Sequence, residues 1–302
     1  MRGNEMNIFV TGASGWIGSA VTDELLANGY AVTGLARSDA SAAALEAKGV
    51  AAHRGSLDDP GSLAVAAKAA DAVIHLAFNH DFDHYDAAGR TERAAVNAML
   101  DALEGSGKAF LFASGAAGAA PGRTATEEDP SPFHGPDSMR GGSENLALSH
   151  ADKGVRPVAL RFPIVHGRAG DPGFVTYLAQ VARKQGVSGY IGDGSNRWAS
   201  VDRPDAARAV RLALEKAPAG FRAHAVAEEG IPTREIAEAL GKRLDLPVRS
   251  VSPDDAPAHF GWMAMMFGLD GATSSEITRK TLGWDPTGPT LMEDIAAGAY
   301  DA

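Results

Sequence analysis

Gly12, Gly15 and Gly18 recur at every third residue of Thr-Gly-Ala-Ser-Gly-Trp-Ile-Gly, residues 11–18. An apolar run, Asn7–Thr11, precedes them, and Ile17, Ala20, Val21 and Leu25 follow at helical spacing. Glycines so placed allow a sharp strand-to-helix turn and a close approach of backbone amides to a pyrophosphate. They also leave a helix N-terminus facing the phosphates. A bare three-glycine pattern is weak, but its position at a first strand–helix junction makes it a dinucleotide-binding signature. Ser14, Trp16 and Ile17 belong to the same loop. At the end of the second apolar run, Leu35-Ala36-Arg37-Ser38 offers no acid before Asp39. A carboxylate there would take a ribose 2′-hydroxyl, whereas Arg37 and Ser38 suit a 2′-phosphate. NADP(H) is therefore the expected cofactor, with NAD(H) admitted.

The elements that must position these residues follow from the pattern. Short apolar runs at 7–11, 30–36, 50–53, 72–77, 109–113 and 157–162 read as buried strands. Helical stretches lie between them, including 91–103 and one around Arg140–His150. Alternation over about 160 residues predicts an α/β fold, a Rossmann-type doubly wound parallel sheet. Residues 1–163 are assigned to this domain, with 203–220 returning to it. Residues 164–302 are assigned to a smaller C-terminal substrate domain. There a helix is expected at 204–215, a strand at 224–227 and a helix at 233–244, followed by the apolar group Phe260, Trp262, Met263, Met265, Met266 and Phe267.

The 302 residues carry a formal net charge of −10 and no cysteine. Disulfides and thiolate chemistry are thus excluded, and a nucleic-acid backbone would be repelled. No apolar run reaches the roughly 18–20 residues of a membrane span, and the N-terminus carries no long apolar leader segment. A cytoplasmic protein acting on a small molecule is expected, without nucleic-acid or membrane partners; a homodimer is the one assembly left open.

These motifs together resemble the extended short-chain dehydrogenase/reductase family, the NAD-dependent epimerase/dehydratase group. The carriers are TGASGWIG (11–18), RGSLDD (54–59), HLAF (75–78), FASG (112–115), RFPIVHGR (161–168) and the helix from Arg203. The resemblance implies that Ser56 and Leu57 lie near the adenine, although Ser56 replaces a common acid. It implies that Leu76, Ala77 and Phe78 flank the cofactor, and that Phe162 and Pro163 border the nicotinamide. Ser114 falls where the family places a catalytic Ser or Thr, and Val201–Asp202 resembles a segment near the substrate.

The family's chemistry uses a Tyr followed four residues later by a Lys that lowers its pKa. None of the five tyrosines here has Lys at that spacing. Arg140 stands in the Tyr position and Glu144 in the Lys position, one helical turn apart and able to pair. Arg140 does not release a proton at ordinary pH, so another acid is needed. His80, Asp81, His84 and Tyr85 cluster after the fourth strand, at the ligand-facing edge of such a sheet. His134 and His166 lie in the later loops. Tyr85 and His134 join Ser114 and Arg140 as candidate catalytic residues; no metal site is assigned.

Arg161, Arg168 and Arg197 are scattered rather than gathered for a sugar-nucleotide diphosphate, while Trp198 and the Trp262–Phe267 group can form an apolar wall. The preferred reading is NADPH-dependent reduction of a small, partly apolar carbonyl compound by hydride transfer. A redox-silent dinucleotide sensor and an NAD(P)-dependent epimerase or isomerase are the alternatives.

Overall fold

Strands that are apolar along their whole length must be covered on both faces, and the chain does this by alternating them with helices. The computed structural model describes residues 6–80, 84–168 and 170–301. Its first half runs β1 (Asn7–Thr11), α1 (Trp16–Ala27), β2 (Ala31–Ala36), α2 (Asp39–Glu46), β3 (Ala51–Arg54) and α3 (Pro60–Ala69). It continues through β4 (Ala72–His75), α4 (Tyr85–Leu103), β5 (Ala109–Gly115), α5 (Ser143–Ser149) and β6 (Arg156–Phe162). The second half comprises β7 (Ile164–His166), α6 (Phe174–Gln185), β8 (Ser188–Ile191), β9 (Arg197–Asp202), α7 (Arg203–Lys216) and β10 (Phe221–His224). After these come β11 (Glu228–Pro232), α8 (Thr233–Leu244), β12 (Val248–Val251), α9 (Ala256–Phe260), α10 (Met263–Phe267), α11 (Glu276–Leu282) and α12 (Leu291–Ala296).

Seven parallel strands form one sheet in the order β10-β6-β5-β4-β1-β2-β3. The direction of winding reverses between β1 and β4, which opens a crevice beyond their C-terminal ends. Thr11 pairs with His75 across that switch point. One face of the sheet is covered by a core that includes Val21, Leu25, Val210 and Trp284, the other by Leu63, Val96, Met99 and Leu100. The fold is the doubly wound Rossmann type that the alternating pattern predicts.

Four local boundaries differ from expectation. β4 stops at His75, two residues short of the apolar run, and α4 starts six residues early, at Tyr85. The strand expected at 224–227 is Phe221–His224, which adds an edge to the large sheet by pairing with β6. The helix expected from Arg140 begins only at Ser143, because Arg140, Gly141 and Gly142 are all left-handed, with φ of 51°, 57° and 59°.

The C-terminal part has its own core, including Val175, Ile236, Leu240, Phe260, Met263, Phe267 and Leu291. Its strands form a three-stranded sheet, β11-β9-β7, and a parallel pair, β8 with β12. The apolar group near residue 262 divides among three environments. Phe260, Met263 and Phe267 are core, Met266 reaches a cavity, and Trp262 and Met265 are exposed.

Candidate active site

The glycine loop has the shape that a pyrophosphate requires. Gly12 sits at φ +71°, and a Cβ there would lie 2.8 Å from the Ala77 amide nitrogen. A Cβ on Gly18 would collide with the Gly12 carbonyl, so only glycine lets α1 start so close to β1. Gly15 is the N-cap of α1 and provides no side-chain cap. Ser14 and Gly15 are exposed, which leaves the helix N-terminus open to an anion. Trp16 anchors the loop to the C-terminal half: its Nε1 donates to Val165 O at 3.0 Å, and Arg203 lies 4.1 Å over its ring. These residues fit a dinucleotide pyrophosphate.

At the far end of β2, Arg37 is exposed and makes no ion pair among the described residues. The nearest acid, Asp39, is held by Arg54 at 3.0 Å. Ser38 is occupied as the N-cap of α2, where its Oγ accepts from the Ser41 amide. Ser56 accepts from the Asp58 amide at 3.2 Å, and Leu57 packs beside the second core.

Beyond the switch point lies a cavity of about 320 Å³ between the two halves of the chain. Of the residues singled out in the sequence, Ile17, Leu76, Phe78, Tyr85, Ser114, Arg140, Phe162 and Pro163 line it together, and so does His80. Ala77 lies at the rim of the switch point, its amide donating to Thr11 Oγ1 at 3.2 Å. His134 is not on the lining; it is exposed, with its Nδ1 3.3 Å from Asn145 Nδ2. His166 is buried away from the cavity, 2.8 Å from Asp294. Asp81 lies outside the described residues. Among the described residues, two groups have metal-ligand spacing, Asp101/Glu104/His150 and His166/Asp202/Asp294; neither lines the cavity.

The expected pairing of Arg140 with Glu144 does not occur. The left-handed turn breaks the helical register, so the two side chains never share a face. Arg140 instead reaches across to α4, where its Nε donates to Glu92 at 3.2 Å and its Nη2 donates to the other oxygen of the same carboxylate. Its guanidinium also lies 4.5 Å over the Phe78 ring and 5.3 Å from that of Phe112. Glu144 pairs with Arg161, which donates to it from Nε at 3.2 Å and from Nη2 at 2.6 Å. Arg161 spends its remaining nitrogen on Asp129 O at 2.8 Å. Arg140 and Glu144 have thus each acquired a buried counter-charge.

Burial dominates the electrostatics. Glu92 is fully buried, and desolvation lifts its carboxyl to about 7 against the opposing pull of Arg140. His75 is driven down to about 3 by burial and by Arg140; it holds Thr11 Oγ1 at 2.8 Å and stacks on Phe112. His80 is lowered by the same two causes, while burial raises the Tyr85 phenol.

Sequence reasoning missed Glu92, the partner of Arg140. A signal was present: Glu92 falls on the stripe Ala88, Ala95, Val96 and Met99 that α4 buries, where an unpaired acid would be costly. It also missed Phe133 and Met139 on the cavity wall, since irregular segments carry no periodicity to reveal them; Met266 of the expected apolar wall does line the cavity.

Comparison with known proteins agrees with this architecture. Residues 8–226 match the profile of the NAD dependent epimerase/dehydratase family. An uncharacterized protein of Saccharomyces cerevisiae is 45% identical over 97% of this chain and 98% of its own length. One from Schizosaccharomyces pombe is also 45% identical, over 98% of this chain and all of that one. Among solved structures, dTDP-glucose 4,6-dehydratase from Streptomyces venezuelae, 23% identical, superposes with a TM-score of 0.76 over 97% of this chain and 96% of its own. The chain belongs to the NAD dependent epimerase/dehydratase family.

Removing one member of a buried ion pair strands the other. Glu144→Ala is expected to destabilise the protein by about 3–5 kcal/mol, because Arg161 is only 1% exposed. Urea unfolding followed by circular dichroism measures this; a loss below about 1 kcal/mol would show that the pair behaves as a surface contact.

Proposed function

We propose that the chain is a nicotinamide-dinucleotide-dependent oxidoreductase that reduces a small carbonyl compound, with Arg140 in place of the family's tyrosine as the polarising group. The observation that carries this reading is the fixed guanidinium at the cavity. Arg140 commits Nε and Nη2 to Glu92 and is flanked by two aromatic rings, so that among the described residues Nη1 remains for a ligand oxygen. A preorganised cation aimed at developing negative charge is the most effective kind of electrostatic catalyst.

A bound nicotinamide supplies or accepts a hydride. The protein's part is to hold the pyrophosphate on the amides after Gly12, to border the ring with Phe162, Pro163 and Phe78, and to exclude water with the apolar wall. Ser114 donates a hydrogen bond to the carbonyl oxygen, and Arg140 stabilises the charge that develops there. The proton comes from Tyr85. His80 is held neutral and is a poor acid, whereas the buried phenol keeps its proton through neutral pH and still gives it readily to an alkoxide. We assign NADP(H) as the preferred cofactor, supported by the unpaired Arg37 and by the commitment of Asp39 to Arg54.

Two measurements test this reading. Purified protein mixed with NADPH and a panel of aldehydes and ketones should consume NADPH, and Tyr85→Phe should cut the rate at least tenfold with nucleotide binding retained. Turnover should fall as pH rises through about 7, because the Glu92 carboxyl is neutral below that point and offsets the Arg140 charge once ionised. Glu92→Gln should abolish that limb. Tight NADPH binding without turnover of any carbonyl would favour the redox-silent reading instead.

Arg37→Ala should weaken NADPH by about ten- to a hundredfold and leave NADH almost unchanged, as read by titration calorimetry. Equal losses for both nucleotides would refute the 2′-phosphate assignment.

A further inference from the structure

The cavity extends well past the groups that would act on a carbonyl. Phe78 and Tyr85 come from the segment between β4 and α4 and Arg140 from the turn before α5, whereas Phe174, Trp198 and Met266 belong to the C-terminal half. Between them run small residues: Ala116, Ala117 and Ala119 follow β5, and Gly271 packs so closely that a Cβ on it would sit 3.2 Å from the Ala117 Cβ. This stretch is shaped as a slot between a low wall and an aromatic one.

The slot offers little to a charged ligand. Each arginine near it is already tied to a carboxylate: Arg140 to Glu92, Arg161 to Glu144, and Arg197 to Asp270 at 2.8 Å. With Nη1 of Arg140 given to the carbonyl oxygen, a phosphate or carboxylate farther along the slot would lose its water without gaining another free cation among the described residues. The bulky side is held rigidly, since Trp198 Nε1 donates to Met266 O at 3.3 Å and Asn196 Nδ2 donates to Phe267 O at 2.7 Å. Apolar surface continues outward. Met139, on the lining, is 38% exposed, and Trp262, its ring tilted 58° at 6.0 Å from that of Phe174, is 37% exposed.

We infer that the substrate is an uncharged carbonyl compound bearing an extended hydrocarbon chain, seated along Ala117, Gly271, Trp198 and Met266 with its carbonyl toward Ser114 and Arg140. This rests on the proposed reductase reading and adds the substrate class to it. Each methylene buried against such a wall strengthens binding by about three- to fourfold. The cavity of about 320 Å³ holds about ten water-sized groups, and the nicotinamide and the carbonyl take part of it, so the gain should flatten at a chain shorter than about ten carbons.

The test is a homologous series of straight-chain aldehydes and 2-ketones from four to twelve carbons, offered to the NADPH-loaded protein. Two readouts are taken, kcat/KM and the change in tryptophan fluorescence on binding of the matching unreactive alkanes. Both kcat/KM and the alkane affinity read from the fluorescence titration should rise by about three- to fourfold per carbon and level off before about ten carbons. Ala117→Phe should remove the gain beyond the first few carbons. A carboxylate at the far end of the chain should cost at least tenfold in kcat/KM.

Turnover that ignores chain length, with no fluorescence response, would overturn the hydrocarbon assignment and leave the reductase reading intact. So would preference for the carboxylate-ended compound. A chain-length response in fluorescence without turnover of any member would sustain the slot and refute the reductase reading.

Discussion

A guanidinium can sit against a catalytic cavity in low-dielectric surroundings only if a carboxylate goes with it. Much of the local architecture follows from that requirement. Arg140 and Arg161 both face the cavity, and each draws a carboxylate from a different helix, Glu92 from α4 and Glu144 from α5. The first pair ties α4 to the turn before α5, and the second ties α5 to β6. The wall of the site is therefore built from ion pairs that also fasten helices to the sheet. The apolar rings of Phe78 and Phe112 complete the enclosure around Arg140.

Much of the nucleotide half was legible in the residues. Apolar runs and glycine punctuation are local properties, so the strands and the phosphate loop were placed to within a few positions. The strand order and the edge strand β10 rest on long-range pairing, to which sequence periodicity is blind. The site was legible only where one residue announced its own role. Ser114 and Phe162 reach the cavity because they stand at the C-terminal ends of β5 and β6, and Phe78 because it follows β4 by three residues. The pairing of Arg140 was misjudged because it depends on backbone conformation: one left-handed turn converts an expected neighbour four residues away into a partner forty-eight residues distant.

The C-terminal half shows the same limit in another form. Its apolar group near residue 262 reads as one feature in sequence, yet short helices distribute it among core, cavity and solvent. Met265 and Met266 are adjacent and face opposite ways. Periodicity over five-residue helices is too short to assign a face, so the cavity wall had to be seen to be known.

The turn at Arg140-Gly141-Gly142 is locked against α4: a Cβ on Gly89 would lie 2.9 Å from the Gly141 nitrogen, and Arg93 Nη1 donates to Gly141 O at 2.6 Å. Substitution at either position is constrained as a result. Placing a tyrosine at position 140 would orphan Glu92, and a lysine at 144 would set a cation beside Arg161, while the left-handed backbone would still keep positions 140 and 144 from sharing a helix face. Four side chains and one loop must change together, so every single-step change passes through a less stable protein. The two ion pairs and the turn therefore behave as one unit, which single substitutions damage and do not convert.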